Sequence, residues 1–462
     1  MCALRHFLFL FLTAIGINPV SLATAGEVTI FDCGQGNCAV AKYNNQTMVF
    51  DAGRKGWSKF VAHENNIDDQ STQAVSFPIL SDTSIKMLFT NVIPTEKATA
   101  VAGNSYKTHF DKQLKKSIYG SKGDSILEAV FVSHPDIDHF NLIAPLDLRP
   151  KAFILGGQYK LYSKVFRDFI NNIQANSSDG KKVKVFKEND LKDIQQGTFE
   201  IPSFKGKAPP VIEILSANAA LKNPANNNKQ PKPSDRNTDS MIVKIQGPTW
   251  SILIPGDAEL TTWEDANEEK LKNIDVLLLS HHGSETKGST SKKILDIINP
   301  KICLISAGFE HHHPTSTVIS LLRDYYKTND YRTNPHFITC YDEAKKGFKS
   351  IITNLPIFTT MDNGSLTVNL SSKSLEIKVS RDFYPCPDEF YTYLASIFLF
   401  KPVEDRASYN LKSLMSKKGA KLIKNKNLGE QIFEKKTKDN QKEYYFKYGD
   451  AYLQMEIDEE EL

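Results

Sequence analysis

Short apolar and β-branched runs, separated by turn residues, mark the chain from about residue 26 onward. Glycine and asparagine pairs between such runs are typical of strands joined by tight turns. The run ending at Phe50 continues directly into Asp51-Ala52-Gly53, which places a carboxylate at a strand end. This pattern predicts an initial β-meander. Its strands are Val28–Phe31, Cys38–Ala41 and Met48–Phe50.

Further along the chain, predicted strands alternate with segments of helical apolar spacing. Alternating strands and helices after a β-meander are typical of a layered α/β domain. The predicted strands are Leu127–Val132, Met241–Ile245, Ser251–Ile254, Asp275–Leu279 and Ile302–Ile305, and the predicted helices are Ser291–Ile298 and Ser316–Tyr325.

The composition is that of an ordinary globular protein. The 462 residues include 40% hydrophobic and 24% charged residues, which excludes a disordered or membrane-embedded chain. A formal net charge of +3 indicates no particular partner, so a nucleic-acid hypothesis must rest on local patches.

Residues 1–25 have the pattern of a secretion signal. A short basic start precedes an apolar run, Phe7–Ile17, and the segment closes with Ala23-Thr24-Ala25. We predict cleavage and a periplasmic or secreted protein, with a buried N-terminal helix as the alternative. The apolar run is shorter than the roughly 20 residues that span a bilayer. No later segment predicts a membrane span, so no stable membrane insertion is expected.

Composition also divides the rest of the chain. We predict a main domain at 26–380, interrupted by a polar, weakly periodic insertion at 54–125 and an exposed Asn-, Pro- and Lys-rich loop at 216–236. Residues 381–462 change character, with aromatic, Lys-rich and acidic stretches in turn. We predict a separate C-terminal region of unknown role there.

Five cysteines remain after residue 25, an odd number without the regular spacing of a disulfide framework. Cys33 and Cys38 flank a glycine turn. They are predicted either to form a disulfide in an oxidising compartment or to pack in the core.

Three predicted strands each end in residues of metal-ligand type. The motifs are "SHPDIDHF", "PGD" and "SHHGS". Each motif alone is also compatible with an ordinary polar turn. Their combined occurrence at strand ends favours a metal site at one edge of a sheet, with ligands that suit Zn²⁺, Mn²⁺ or Fe²⁺. The candidates are His134, Asp136, Asp138, His139, Asp257, His281 and His282.

A resemblance to a known family rests on a longer series of segments. These are "FDCGQGNCAVA", "MVFDAG", "SHPDIDHFNL", "NTDSMIVKI", "ILIPGDAE", "DVLLLSHHGS", "HPTSTVISLL" and "TTMDNGSLTV". In this order, from about Val28 to Val368, they are similar to metallo-β-lactamase-fold hydrolases, and among those to the soluble domain of the DNA-uptake protein ComEC and its stand-alone relatives. The resemblance implies an α/β protein with an αββα sandwich and two divalent metal ions at its edge.

The resemblance also implies roles for individual residues. Asp138, His139 and His281 would bind one ion, and His134 and Asp136 the other, with Asp257 bridging. Asp138 and His282 are the predicted catalytic residues: Asp138 would orient the nucleophile, and His282 would lie beside the ligands or contact the substrate. The predicted substrate contacts are Asn237, Ser240 and His313, for each of which a role in a turn or in packing is the alternative.

One departure from the family pattern is visible. No histidine occurs between His139 and His281, so a ligand that many superfamily members place there is absent. One ion would then have two carboxylates and one imidazole. This favours Mn²⁺ or a weakly held ion over a simple pair of zinc ions.

The predicted function is hydrolysis by a metal-activated hydroxide. The first candidate substrate is a phosphodiester, with nucleic acid as one form of it. This follows from the resemblance to the ComEC group and from the basic residues before Asn237, which are Lys222, Lys229, Lys232 and Arg236. The alternatives are another extracytoplasmic ester, either a surface-polymer phosphodiester or a lactone, and a non-catalytic metal-binding relative. A β-lactam is the least favoured substrate. No protein partner is evident.

Overall fold

The computed structural model describes part of the chain. The described residues are 26–55, 85–89, 103–176, 182–191, 200–222, 236–308, 311–328, 331, 333, 336–344, 346–353, 355–380, 420–422, 432–436, 442–448 and 451–455. The predicted signal peptide, most of the loop at 216–236 and Cys386 lie outside them.

The first sheet has nine strands. They are β1 (Glu27–Ile30), β2 (Cys38–Tyr43), β3 (Gln46–Ala52), β4 (Ile85–Phe89), β5 (Ile126–Val132), β6 (Ala152–Leu155), β7 (Lys184–Phe186), β16 (Leu366–Asn369) and β17 (Leu375–Val379). The strand order is β4-β17-β16-β1-β2-β3-β5-β6-β7. The predicted β-meander is therefore present, and β3, β5, β6 and β7 continue it as parallel neighbours.

The second sheet has six strands. They are β8 (Val211–Ser216), β9 (Ile242–Gln246), β10 (Ser251–Ile254), β11 (Val276–Leu278), β12 (Ile302–Ile305) and β15 (Ile357–Thr359). The order is β15-β12-β11-β10-β9-β8. Strands β10, β11, β12 and β15 are parallel neighbours, so their carboxyl ends meet at one edge of the sheet.

The described helices surround these sheets. They are α1 (Gly103–Tyr119), α2 (Ile137–Phe140), α3 (Lys164–Ala175), α4 (Ala219–Lys222), α5 (Leu260–Asp265), α6 (Glu268–Leu271), α7 (Lys292–Ile298), α8 (Ser316–Lys327) and α9 (Thr360–Asn363).

Alternation along the strands separates two faces of the first sheet. Met48 and Phe50 point into a core shared with the second sheet, whereas Val49 points into a core shared with α1 and α3. A third core lies between the second sheet and helices α5, α7 and α8. Fully burying one such side chain contributes about 1.5–3 kcal/mol. The layers therefore run helix, sheet, sheet, helix, and the predicted αββα sandwich is confirmed.

The first predicted insertion differs from its expected character. Within 54–125, helix α1 buries Phe110, Leu114 and Ile118, which recur at helical spacing on one face. The same segment contains strand β4, which pairs with β17 of the first sheet. The polar residues between these apolar positions give the segment its weak overall periodicity.

Two smaller sheets complete the description. Strands β13 (His336–Asp342) and β14 (Gly347–Thr353) form a hairpin. In the predicted C-terminal region, β18 (Ala420–Leu422), β19 (Ile432–Lys436), β20 (Lys442–Tyr448) and β21 (Ala451–Met455) pair as a four-stranded antiparallel sheet.

Two further predictions concern the described residues. None of the described helices combines the length and the apolar character that crossing a bilayer requires. Cys33 and Cys38 are both buried, and their thiols are free rather than joined in a disulfide.

Candidate metal centre

The three ligand-rich motifs meet at one edge of the sandwich. His134 follows β5 of the first sheet, while Asp257 and His282 follow β10 and β11 of the second. Two backbone hydrogen bonds hold the loops together: Met241 N–H donates to the Ser133 carbonyl across the sheets, and His281 N–H donates to the Gly256 carbonyl. The fold therefore assembles into one cluster residues that are far apart in sequence.

Asp257 lies at the middle of the cluster and faces four imidazoles. Its Oδ1 is 3.3 Å from His139 Nε2 and 3.8 Å from His282 Nε2. Its Oδ2 is 3.7 Å from His281 Nε2 and 3.9 Å from His134 Nε2. A carboxylate with different partners on its two oxygens is suited to bridging two ions.

Two compact sets of ligand atoms occur among the described residues. One set is His134, His139 and Asp257, and the other is Asp138, His139 and His282; within each, the ligand atoms lie within 4.8 Å of one another. All five side chains are buried. Each set matches the mixed imidazole and carboxylate chemistry of a divalent transition-metal site.

The ligand atoms themselves have unmet bonding capacity. Nε2 of His134, His139 and His282, together with Asp257 Oδ1, are buried and have no hydrogen-bond partner. Buried polar atoms are almost always hydrogen-bonded, because an unpaired one costs about 1–3 kcal/mol. Four such atoms around one carboxylate fit a metal centre, and these residues therefore suit the divalent ions that the fold implies.

The far nitrogens of two ligand imidazoles are held by acceptors. His139 Nδ1 lies 2.8 Å from Asp51 Oδ2, and His282 Nδ1 lies 2.8 Å from the Ser306 carbonyl. Each Nδ1–H donates there, which directs the Nε2 atom at the cluster. Asp51 also accepts from the Ser133 N–H at 2.7 Å and from the Ser133 hydroxyl at 2.9 Å.

Unusual backbone conformations place these groups. Asp51, His281 and His282 have φ values of 54°, 51° and 56°, in the left-handed region that costs a non-glycine residue of order 1–3 kcal/mol. Gly53 allows close approach, since a Cβ there would lie 1.8 Å from the Asp138 carbonyl oxygen. Gly256, at φ 57°, would place a Cβ 2.5 Å from that of Ser133.

Charge and burial shift the pKa values of the central groups in opposite directions. Burial raises the pKa of Asp257, but His139, His281 and His282 outweigh burial and hold the pKa well below its usual range. Burial lowers the pKa of His139, but Asp257 and Asp51 raise it well above its usual range. For His282, burial dominates and lowers the pKa. Its imidazole is therefore neutral, as a metal ligand requires.

Part of the cluster lines an open cleft of about 660 Å³. Two cations stand beside the acidic ligands: Lys55 Nζ is 3.9 Å from Asp138 Oδ2, and Arg236 Nη1 donates to Asp136 Oδ1 at 2.9 Å. Apolar side chains also line the cleft, among them Ile137, whose surface is 54% exposed.

The predicted substrate residues occupy different places. His313 lines the cleft, and burial, followed by the neighbouring His282 and His281, lowers its pKa to about 3, so its imidazole is neutral at pH 7. Asn237 Nδ2 is 3.5 Å from His281 Nε2. Ser240 is buried, its hydroxyl has no hydrogen-bond partner, and it is not among the described residues that line the cleft.

The two adjacent histidines, His281 and His282, lie in different places from those that the sequence predicts. His282 joins Asp138 and His139, the place that the family pattern gave to His281, whereas His281 faces the other oxygen of Asp257. Asp136 lies 3.5 Å from His134 Nε2, but neither Asp136 nor His281 belongs to a compact set, and His139 belongs to both sets. We call Asp138, His139 and His282 the inner group, and His134, Asp136 and His281 the outer group.

Sequence reasoning did not single out three residues that the structure brings to the site. Asp51 was recognised only as a carboxylate at a strand end, Lys55 was not identified, and Arg236 was noted only as one of several basic residues. The signal available for Asp51 was its position in "MVFDAG", since parallel strand ends share an edge. No local pattern distinguishes Lys55 or Arg236 from surface cations.

Two bacterial proteins have sequences similar to this chain. The chain is 26% identical over 218 residues to "ComE operon protein 3" of Bacillus subtilis, covering 44% of this chain and 23% of that protein. It is 28% identical over 145 residues to "Recombination protein 2" of Haemophilus influenzae, covering 31% of this chain and 15% of that one. The matches span less than a quarter of the length of these relatives.

Structural and family comparisons complete the picture. The metallo-β-lactamase fold protein YhfI from Bacillus subtilis is 8% identical and aligns with 74% of this chain and 99% of its own, with a TM-score of 0.34. No protein-family model matches the chain. The chain's own layers and strand-end residues have the αββα arrangement that the resemblance implies, and its sequence relatives support the predicted resemblance to the ComEC group.

Proposed function

We propose that the protein is a metal-dependent phosphodiesterase that cleaves nucleic-acid-like phosphodiesters outside the cytoplasm. The observation that carries the proposal is the set of buried, unpartnered ligand atoms around Asp257. The location rests on residues 1–25, which lie outside the described residues. The resemblance to proteins of DNA uptake supports a nucleic-acid substrate.

We propose that two divalent ions, Zn²⁺ or Mn²⁺, bind on the two sides of Asp257. The inner group would hold one ion with Oδ1, and the outer group would hold the other with Oδ2. In this division His282 is a ligand rather than a catalytic neighbour. His281 would supply to the outer ion the imidazole that is missing between His139 and His281.

The bound ions would supply Lewis-acid chemistry, acidifying water and neutralising charge on phosphate oxygens. The chain's own residues do the positioning. Asp51 and the Ser306 carbonyl fix the rings of His139 and His282. The Asp138 carboxylate, in the inner group, would orient the attacking water. His313 is neutral and would contact a substrate oxygen by hydrogen bonding rather than as a charged acid.

Charge favours an anionic substrate over a neutral one. Asp51, Asp136, Asp138 and Asp257 together carry four negative charges, which two divalent ions would balance. The two cations beside the cleft, Lys55 and Arg236, then leave an excess positive charge. Such a site attracts a phosphodiester and offers no comparable gain to a neutral lactone.

The experiment is a substrate panel with metal-free protein reloaded with Mn²⁺ or Zn²⁺. We expect cleavage of bis-p-nitrophenyl phosphate and of single-stranded DNA or RNA, with no turnover of a lactone or of nitrocefin. Asp257→Asn, which keeps the shape but halves the ligand capacity of the bridge, should be inactive. Asp147→Asn, at an exposed ion pair with Arg149, is the matched control and should behave as wild type.

Turnover of nitrocefin or a lactone, with phosphodiesters left intact, would overturn the substrate assignment. Retention of metal without turnover of any substrate would favour the non-catalytic metal-binding relative, and failure to retain any metal would overturn the proposed metal centre.

A further inference from the structure

Two cations flank the ligand cluster, one beside the inner group and one beside the outer group. Lys55 follows β3 and approaches Asp138 of the inner group, and Arg236 precedes the turn Asn237–Asp239 and contacts Asp136 of the outer group. Both residues line the cleft, and their side chains are 32% and 31% exposed. They are therefore placed where a bound ligand can reach them.

Neither cation is saturated by its carboxylate. The Lys55 ammonium is 3.9 Å from Asp138 Oδ2, which is longer than a charge-assisted hydrogen bond of about 2.7–2.9 Å. Arg236 uses Nη1 on Asp136, while its Nε is buried without a hydrogen-bond partner. A guanidinium has five N–H donors in a planar fork, a geometry that suits phosphate.

Ion pairing alone is a weak reason for the presence of these two cations. An ion pair between solvent-exposed side chains contributes only about 0–1 kcal/mol to stability. Here both side chains are about one-third exposed on the wall of the cleft. The apolar surface of Ile137 also lines this cleft and is suited to a flat, apolar group attached to the phosphate backbone.

We infer that Lys55 and Arg236 form a two-sided anion subsite that binds the phosphates flanking the scissile one, and so select a phosphodiester within a polymer over an isolated diester. This inference rests on the proposed phosphodiesterase function and names its substrate class. Lys55 would hold the neighbouring phosphate on the inner side, and Arg236 the one on the outer side.

The test compares each variant with the wild type on two substrates: a single-stranded oligonucleotide, and bis-p-nitrophenyl phosphate, a diester that has no flanking phosphates. The variants are Lys55→Met and Arg236→Met. Each should lower kcat/KM on the oligonucleotide at least tenfold further than on the small diester, mainly through KM. The slope of log KM against log salt should fall by about one per removed cation.

Two controls keep the interpretation unambiguous. Lys270→Met removes a surface cation that pairs with Glu213 away from the cleft and should change neither ratio nor slope. Arg236→Lys keeps the charge without the planar fork and should restore most of the salt slope. Metal content measured in every variant shows whether the ligands are intact.

Equal losses on both substrates, or an unchanged salt slope, would refute the subsite and assign these cations to support of Asp136 and Asp138. Failure of the wild type to cut either substrate would instead refute the phosphodiesterase proposal. The two failures are therefore distinguishable.

Discussion

The inner and outer groups share one carboxylate, Asp257, yet they are built differently. In the inner group, His139 and His282 are almost completely buried, and each ring is held through Nδ1 by Asp51 or the Ser306 carbonyl. In the outer group, the side chains of Asp136 and His281 are 32% and 20% exposed, and only His134 is fully buried.

The contacts of the outer ligands differ as well. One oxygen of Asp136 is engaged by Arg236, and His281 Nε2 lies 3.5 Å from Asn237 Nδ2. An ion must compete with these partners at Asp136 and His281, whereas Nε2 of His134, His139 and His282 has no hydrogen-bond partner. Preorganised ligands lose less freedom on binding, so the inner ion should be held more tightly. The asymmetry suits a centre in which one ion stays and the other exchanges.

The largest expected effect comes from removing the group that the two sides share. Asp257→Ala should reduce phosphodiester cleavage by on the order of 1,000-fold or more, because several kcal/mol of charge stabilisation depend on both ions. Elemental analysis after dialysis should show both ions lost. Retention of two ions per chain in this variant would contradict a bridging role.

The next largest effect is expected from replacing one histidine in each group. His282→Ala should remove the tightly bound ion and lower kcat more strongly than His281→Ala, which should weaken only the second binding event. Calorimetric titration with Mn²⁺ separates the two events. If His281→Ala abolished the tighter event and His282→Ala spared it, the division proposed from the geometry would be reversed.

A smaller effect is expected from the residue that orients His139. Asp51→Asn keeps the shape but weakens the acceptor at 2.8 Å, and loss of such a partner typically costs 10–100-fold in metal affinity or activity. The loss should fall on the inner ion, again read by titration. An equal weakening of both ions would show that Asp51 supports the fold rather than one side of the site.

The smallest effect concerns stability. Ions that bind only the folded protein raise the free energy of unfolding by about 2.7 kcal/mol per site at 100 times the Kd. Chelation should therefore lower the melting temperature, and Mn²⁺ at low concentration should restore most of the loss through the inner site. A melting temperature that the chelator does not change would argue against a preformed site.

Much of the fold was predictable because its signals are local. The strand Ser251–Ile254 and the strand Ile302–Ile305 have the bounds expected from their apolar runs. Helix α1 was missed because Lys and polar residues separate its three buried apolar positions, which weakens the periodicity of the whole segment.

Less of the site than of the fold was predictable from the sequence. The ligand types at strand ends are local features, so the cluster could be expected from sequence. The placement of His281 and His282 could not be predicted, because consecutive left-handed φ values turn the two rings toward different oxygens of Asp257. The positions of Lys55 and Arg236 depend on tertiary contacts that no spacing rule encodes.

The most direct test of the unequal two-ion centre is anomalous diffraction from crystals of the protein loaded with Mn²⁺. We expect a strong peak bound by the inner group and Asp257, with His282 Nε2 as a ligand, and a second peak of lower occupancy between Asp257 and the outer group. A single peak that excludes His282, or no peak beside Asp257, would contradict the account.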